Sequence, residues 1–387
     1  GGGAVTTLAT FTGGNGWFPG ASLILSGGSL YGTTAWGGDQ SLNGGLGYGT
    51  VFSVPAAGGA VTTLATFNGS NGADPECNLI RSGDTLYGTT ARGGAGGDGT
   101  VFSLTPTPAG STYALWNDSG VASLWKIPAT GSVASASFGP YSGWAPAALA
   151  SDTSSNAYIL WTTAAGAASV WQVSSSLKVT TTQSFGPYKG WSAKSIAVGP
   201  DGHVHMLWNH TSDNEASIFN IVLGSSASSQ AFGPFKGWQA TQIAVDSNNN
   251  TRLLWTDTSV YEASLWNITS GGVQRSQAFG PYSGWQAQSL AVDPDNQARM
   301  LWENTSTKQA SIFTVATDGT FISQPFGPYS GWTPAGLAVN NDGDSDLMWN
   351  STANQLSIFD VTDVGTFTSR PCGPFSGWKA IAIAPGP

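Results

Sequence analysis

One seven-residue phrase recurs six times in this chain. It reads FGPYSGW at 138–144, FGPYKGW at 185–191, FGPFKGW at 232–238, FGPYSGW at 279–285 and 326–332, and CGPFSGW at 372–378. Successive copies stand 46 or 47 residues apart. A fixed period of this length marks a fold made by stacking one supersecondary unit, because a single unit cannot bury its own apolar face. Between the phrases each copy reads as four short strands. Strand a follows the phrase, as in GWSAKSIAVG (190–199), GWQATQIAVD (237–246) and GWQAQSLAVD (284–293). Strand b ends in Leu-Trp or Met-Trp, at Trp116, Trp161, Trp208, Trp255, Trp302 and Trp349. Strand c carries a serine in every copy, at Ser123, Ser169, Ser217, Ser264, Ser311 and Ser357, and strand d leads into the next phrase. The a–b turns (P-D-G, D-S-N-N, P-D-N, N-D-G) are rich in residues that accept the positive φ of tight hairpins.

The strand count closes on itself. Strands b, c and d of the first copy lie at 113–138 without a strand a, and a lone strand a, GWKAIAIAPG, ends the chain at 377–386. This split predicts an all-β fold: a closed six-bladed β-propeller of four-stranded blades over 108–387, its last strand completing its first blade. Closure removes the open edges that a linear array would expose.

Residues 1–107 hold a different unit, repeated at about 1–56 and 57–107. AVTTLATF stands at 4–11 and 60–67, LYGTT at 30–34 and 86–90, and GTVFS at 49–53 and 99–103. The pattern GGNGWFPGASLI–LYGTT–GG–GTVFS, followed by GSNGADPECNLI–LYGTT–GG–GTVFS, resembles the GloVer tandem repeats of bacterial secreted and surface proteins. The resemblance implies two blade-like β repeats and an extracellular home, and it implies no activity. Such arrays usually carry more copies, so the N-terminal end is expected to be cut from a longer array.

Composition narrows the function classes. Only 9% of residues are charged, the net charge is −9 and the pI is about 4.6. Thirteen scattered Lys and Arg do not make a phosphate-binding surface, which argues against nucleic acid and anionic lipid. No run of about 18 apolar residues spans a membrane. Low charge with abundant Gly, Ser, Thr, Asn and Trp, and a start that is neither Met nor a leader, suits a secreted chain or a trimmed part of a larger one. Glu76, Glu215, Glu262 and Glu303 form no readable catalytic pair, and no nucleophile or phosphate-loop motif occurs, so no enzyme is expected.

Fifteen of the 17 tryptophans fall at three repeat positions. Those of strand b, and Trp125, Trp171 and Trp266 of strand c (Phe219, Phe313 and Phe359 in the other copies), read as rings packed between blades. In strand a, Ala193 with Ala197, Ala240 with Ala244 and Ala287 with Ala291 read by simple alternation as one face near the axis. The third set follows the phrase: Trp144, Trp191, Trp238, Trp285, Trp332 and Trp378, with Tyr141, Tyr188, Tyr282 and Tyr329 just before. Two readings of this turn stay open. It closes the blade, or it forms a rim where rings stack on sugars and the b–c turns (W-N-D-S, W-N-H-T, W-E-N-T, W-N-S-T) supply amides and hydroxyls. The C-terminal part resembles six-bladed lectins of fungi and bacteria, which place sugars between blades. Those that bind fucose pair Trp with Arg and Glu; here Arg252 with Glu262, and Arg299 with Gln309, approach that set, and the departure argues against fucose. The expected function is a non-catalytic extracellular binding or adhesion protein with glycans or cell-surface polysaccharide as partners. The rival is a structural subunit of a fibre or oligomer that self-associates through open edges of the N-terminal repeats.

Other features carry less. Asn117, Asn209, Asn304 and Asn350 stand in N-x-S/T at the b–c turns, as glycan acceptors do, although turn chemistry explains them equally. Asp342, Asp344 and Asp346 in N-D-G-D-S-D have the spacing of a calcium loop, and no other cofactor is expected. His203 and His205 would share a strand face suited to zinc, but lack further ligands. Cys77 and Cys372 are either two thiols or one bridge.

Overall fold

The computed structural model describes residues 5–26, 29–56, 58–59, 61–82, 85–104, 111–128, 132–340, 343–361 and 367–386. The fold is all-β and propeller-like; among the described residues the one helical element is a 3-10 turn at Asn43–Gly45. The chain divides into two compact units, whose main bodies are Gly1–Ala109 and Gly110–Asn340 with Asp344–Val361 and Gly365–Pro387.

The second unit contains six antiparallel sheets of four strands. One of them runs Trp191–Val198 (a), Val204–His210 (b), Ala216–Ile221 (c) and Ala227–Phe232 (d). Strand b is buried almost throughout, as a continuous apolar run between two neighbours must be, whereas strand d is exposed except at its closing Phe232. In five sheets the strands follow in chain order. In the sixth, Lys379–Pro385 pairs with Ser111–Asp118, Ala380 opposite Trp116 and Ala384 opposite Tyr113. Each strand a lies beside the strand a of the next sheet, and Lys379–Pro385 lies beside both Trp332–Val339 and Trp144–Ser151. Residues of these inner strands line a narrow channel of about 220 Å³.

Every strand a carries a β-bulge at the same place, between Pro146 and Ala148, Ala193 and Ser195, Ala240 and Gln242, Ala287 and Ser289, Pro334 and Gly336, and Ala380 and Ala382. The bulge corrects the expectation that Ala193 and Ala197 share a face. One inserted residue inverts the alternation beyond it. Ala193 packs with Leu160 and Val170 of the preceding sheet, and Ala197 with Ile243 and Leu253 of the following one. Each inner strand therefore serves two interfaces.

The strand b tryptophans fill those interfaces, each at most 1% exposed. Burial of roughly 150–250 Å² per ring is worth about 4–6 kcal/mol. Their Nε1–H groups find no acceptor in any copy, a cost of about 1–3 kcal/mol that ring burial exceeds.

Two of the asparagines read as glycan acceptors are inter-sheet clamps instead. The Nδ2 of Asn209 donates to the Ala240 carbonyl at 2.5 Å, and that of Asn350 to the Ala380 carbonyl at 2.8 Å, each joining strand b of one sheet to strand a of the next. An amide committed in this way, and in Asn209 also buried, is not available for modification. Asn209→Ala should lower the urea-unfolding free energy by about 1–3 kcal/mol, because it leaves the Ala240 carbonyl without its donor.

In the first unit, Ile24–Ser26, Ser29–Thr34, Thr50–Pro55 and Thr62–Thr66 form one sheet, and Ile80–Ser82, Thr85–Thr90 and Thr100–Leu104 a second. Their shared core is Tyr31, Val51, Phe67, Leu79 and Leu86. The glycine of LYGTT is required by packing: a Cβ on Gly88 would stand 2.6 Å from the Phe102 ring.

Candidate functional site

The F-G-P-Y-S-G-W phrase builds one structure six times. In all six copies the Gly–Pro peptide is cis and the first glycine has positive φ. A tight turn follows, closed in the second copy by the Trp191 N–H donating to the Tyr188 carbonyl at 3.0 Å, with Gly190 at φ +82° where L residues are strained. The phrase shares its rim with the b–c turns: Tyr188 N–H donates to the Gly166 carbonyl at 3.1 Å, and Thr211 N–H to the Gly190 carbonyl at 2.8 Å.

This turn folds its aromatic side chain onto the rings of strands b and c. Tyr141, Trp161 and Trp171 have centroids 5.4, 5.2 and 5.2 Å apart. The triad recurs as Tyr188–Trp208–Phe219, Phe235–Trp255–Trp266, Tyr282–Trp302–Phe313, Tyr329–Trp349–Phe359 and Phe375–Trp116–Trp125. The serine of strand c holds its ring in place where that ring is Trp: Trp125, Trp171 and Trp266 donate Nε1–H to Ser123, Ser169 and Ser264 at 2.9, 3.1 and 3.0 Å. That serine recurs in every copy of the sequence, but its role is visible only in three dimensions.

Beside the triad lies a pocket. In one sheet Tyr282, Trp285, Trp302 and Phe313 wall a space of about 280 Å³, with Gln309 and Ser311 as polar groups. In the preceding sheet Phe235, Trp238, Trp255 and Trp266 wall an equivalent space of about 170 Å³ with Ser264. No charged side chain lines either pocket. Trp144, Trp191, Trp238, Trp285, Trp332 and Trp378 are all half-buried; Tyr141 and Tyr188 are exposed, and Tyr282 and Tyr329 half-buried. The strand c rings, read from sequence as packing alone, thus also form pocket walls, with the strand b rings buried behind them.

The remaining candidates separate. Arg252 and Glu262 are not brought together: Arg252 stands opposite Asn267 at one end of its strand pair, and Glu262 opposite Asp257 at the other. Five residues of strand put them about 16 Å apart. Arg252 instead pairs with Asp246 at 3.1 Å. Arg299 is buried against Asp293 at 3.1 Å, away from Gln309 in the pocket. Asn117 and Asn304 accept turn N–H groups from Gly120 and from Ser306 and Thr307.

Of the calcium-loop set, Asp342 lies outside the described residues, and Asp344 is buried. Asp346 is fully buried in strand b, where its carboxylate accepts from Arg370 at 2.9 Å and from the Thr112 hydroxyl. Burial drives its pKa up to about 7, with the Arg370 charge opposing and the Asp360 charge adding to the rise. His203 faces Asp201 at 3.3 Å from a turn, while the buried His205 bonds Thr251 at 2.8 Å, so the two do not form a ligand pair. Among the described residues no three His, Cys, Asp or Glu side chains converge as a metal site. Cys77 and Cys372 are both free thiols.

Residues 1–123 match the family model of the Gloeobacter/Verrucomicrobia repeat. No curated protein matches this sequence. Similar solved structures include a protein of unknown function from Bacteroides caccae, at 12% identity, covering 72% of this chain and 99% of that one with a TM-score of 0.47. AofleA from Arthrobotrys oligospora is 11% identical, covers 72% and 90%, and has a TM-score of 0.48. The SapL1 lectin, solved in complex with α-methyl fucoside, is 13% identical and covers 62% and 85%, with a TM-score of 0.45. At these identities the likeness is one of fold alone.

Proposed function

We propose that residues 108–387 form a closed six-bladed β-propeller, and that the protein binds neutral glycans outside the cell, without catalysis and without a cofactor, through the aromatic pockets of one rim. The observation that carries the reading is the pocket walled by Tyr282, Trp285, Trp302 and Phe313 and repeated at Phe235, Trp238, Trp255 and Trp266. Flat apolar walls match the C–H face of a pyranose, and a few hydroxyl and amide groups fix its OH groups. The lack of charge in the lining favours neutral sugars over acidic ones. Repetition around a ring favours a ligand with many identical sugars, since linked weak sites multiply affinity. Closure is supported by the pairing of Lys379–Pro385 with Ser111–Asp118 and by its two inner-strand neighbours. A non-catalytic role is supported by the axial channel, where Lys194 is the one ionisable side chain in the lining.

A glycan array with the intact chain tests this. Trp285→Ala and Trp238→Ala together should weaken binding to any retained glycan about tenfold or more, while near-UV circular dichroism at the assay temperature shows the chain still folded, although at a lower melting temperature because both rings pack against the core. Absence of every glycan hit, or binding that survives both substitutions, sinks the reading.

A further inference from the structure

The rim pockets differ from one another, and the difference lies in strand c. Three copies carry Trp as the strand c ring (Trp125, Trp171 and Trp266) and three carry Phe (Phe219, Phe313 and Phe359). A tryptophan there narrows its pocket in two ways. The larger ring fills space: the pocket at Trp266 measures about 170 Å³ and the one at Phe313 about 280 Å³. The indole N–H also occupies the strand c serine, as Trp266 does with Ser264 at 3.0 Å. Where the ring is Phe no indole reaches that serine. Ser311 lines the pocket, and its hydroxyl has no hydrogen-bond partner among the described residues.

The polar entrance changes with the ring. Two residues before the strand c serine stand Val121, Ala167 and Glu262 in the Trp copies, and Glu215, Gln309 and Gln355 in the Phe copies. Gln309 lines the Phe313 pocket, whereas Glu262 is not part of the Trp266 pocket. Two copies add a brace. Phe321 of strand d stacks on Phe313 with centroids 5.2 Å apart and planes at 16°, and Phe367 stacks on Phe359 at 4.4 Å and 5°. The third Phe copy has Ala227 at this place. A stacked partner holds the Phe ring as a fixed wall. The full set of Gln, Ser, Phe and bracing Phe therefore occurs twice, at Gln309, Ser311, Phe313 and Phe321, and at Gln355, Ser357, Phe359 and Phe367.

We propose that these two sites select sugars that carry an N-acetyl group. The proposal rests on the reading of the rim as a glycan site and names the sugar class that two of its pockets take. An acetamido group holds an N–H donor, a carbonyl acceptor and a methyl in one plane. The Gln309 amide offers an acceptor and donors, and the Ser311 hydroxyl serves as either. The methyl packs on the walls made by Phe313 and Trp285. A plain hexose has only a hydroxyl at that carbon, and leaves both the apolar wall and half of the Gln309 amide unused. The Trp266 pocket lacks the room and the amide, so an acetamido group gains nothing there. Glu215 accepts but cannot donate when ionised, so the third Phe copy meets only half of the group.

Isothermal titration calorimetry of the full chain with the methyl glycosides of N-acetylglucosamine, N-acetylgalactosamine, glucose and galactose tests this. At least one N-acetylated sugar should bind about tenfold or more tighter than its 2-hydroxyl counterpart, at about two sites per chain, one for each full set. Phe313→Trp should remove one of the two, and Gln309→Leu should weaken it about tenfold. The converse variant, Glu262→Gln with Trp266→Phe and Val273→Phe, should add a site, a gain that misfolding does not imitate. Acetylated and plain sugars bound equally, or a site count unchanged by Phe313→Trp, would overturn the proposal. If both sugars bind equally and both are lost in the Trp285→Ala, Trp238→Ala chain, the rim remains a glycan site and this proposal alone falls. If no sugar binds, both fall.

Discussion

Truncation after Ser376 is expected to abolish cooperative folding of the second unit. The lost segment contains strand a of the split sheet, in which Ala380, Ile383 and Ala384 are buried. It also carries the Ala380 carbonyl that the Asn350 amide needs. Full burial of the Ile383 side chain is worth about 1.5–3 kcal/mol and that of each alanine methyl about 0.8 kcal/mol, and each ladder hydrogen bond about 1 kcal/mol. The sum is comparable with the roughly 5–15 kcal/mol that stabilises a whole domain. Removal also bares the edge of Ser111–Asp118, inviting aggregation. Near-UV circular dichroism and urea titration check this, and a synthetic peptide of residues 377–387 should restore part of the transition. A truncated chain that unfolds at the same midpoint as the intact one refutes the expectation.

The second large effect belongs to Arg370. Its guanidinium bonds Asp346 at 2.9 Å, faces Asp360 at 3.4 Å, and reaches the Thr112 hydroxyl at 2.9 Å and the Ile127 carbonyl at 3.3 Å. It thereby ties the Trp332–Cys372 sheet to the one that the last strand completes. Arg370→Ala leaves two adjacent carboxylates buried without a cation, which should cost about 3–5 kcal/mol near pH 8. The effect has a defined pH dependence. The folded chain holds a proton on Asp346 up to about pH 7, whereas its unperturbed value is 3.8. Between these values the native state binds the extra proton, so the contribution of Asp346 to stability declines as pH rises through the window and is level above it. Without Arg370 the protonated form is favoured further, so Arg370→Ala should be milder at pH 5 than at pH 8, and Asp346→Asn should flatten the dependence. Urea unfolding at the two pH values decides; equal losses at both would contradict the assignment.

The stacked four-stranded sheets were legible because their signals are local and repeated. A Leu-Trp or Met-Trp near the end of strand b in each sheet, and a turn glycine where φ must be positive, need no knowledge of distant residues. The lone strand a at the C-terminus could be matched to its partners by counting alone. The pocket was only half legible. The phrase marked Trp285 and Tyr282, but Trp302 and Phe313 join them because hydrogen-bonded registers bring strands b and c to one face.

The order of strands, the rim shared by the phrase and the b–c turns, and the apolar character of the inner strands follow from the amino-acid order, since they depend on period and spacing. Tertiary structure alone decided which way Ala197 faces, that Asn209 and Asn350 reach the next sheet, and that Arg252 leaves Glu262 for Asp246. A single bulged residue reverses every side chain beyond it, and a charged group goes to the buried countercharge that the folded hairpin sets within reach of it.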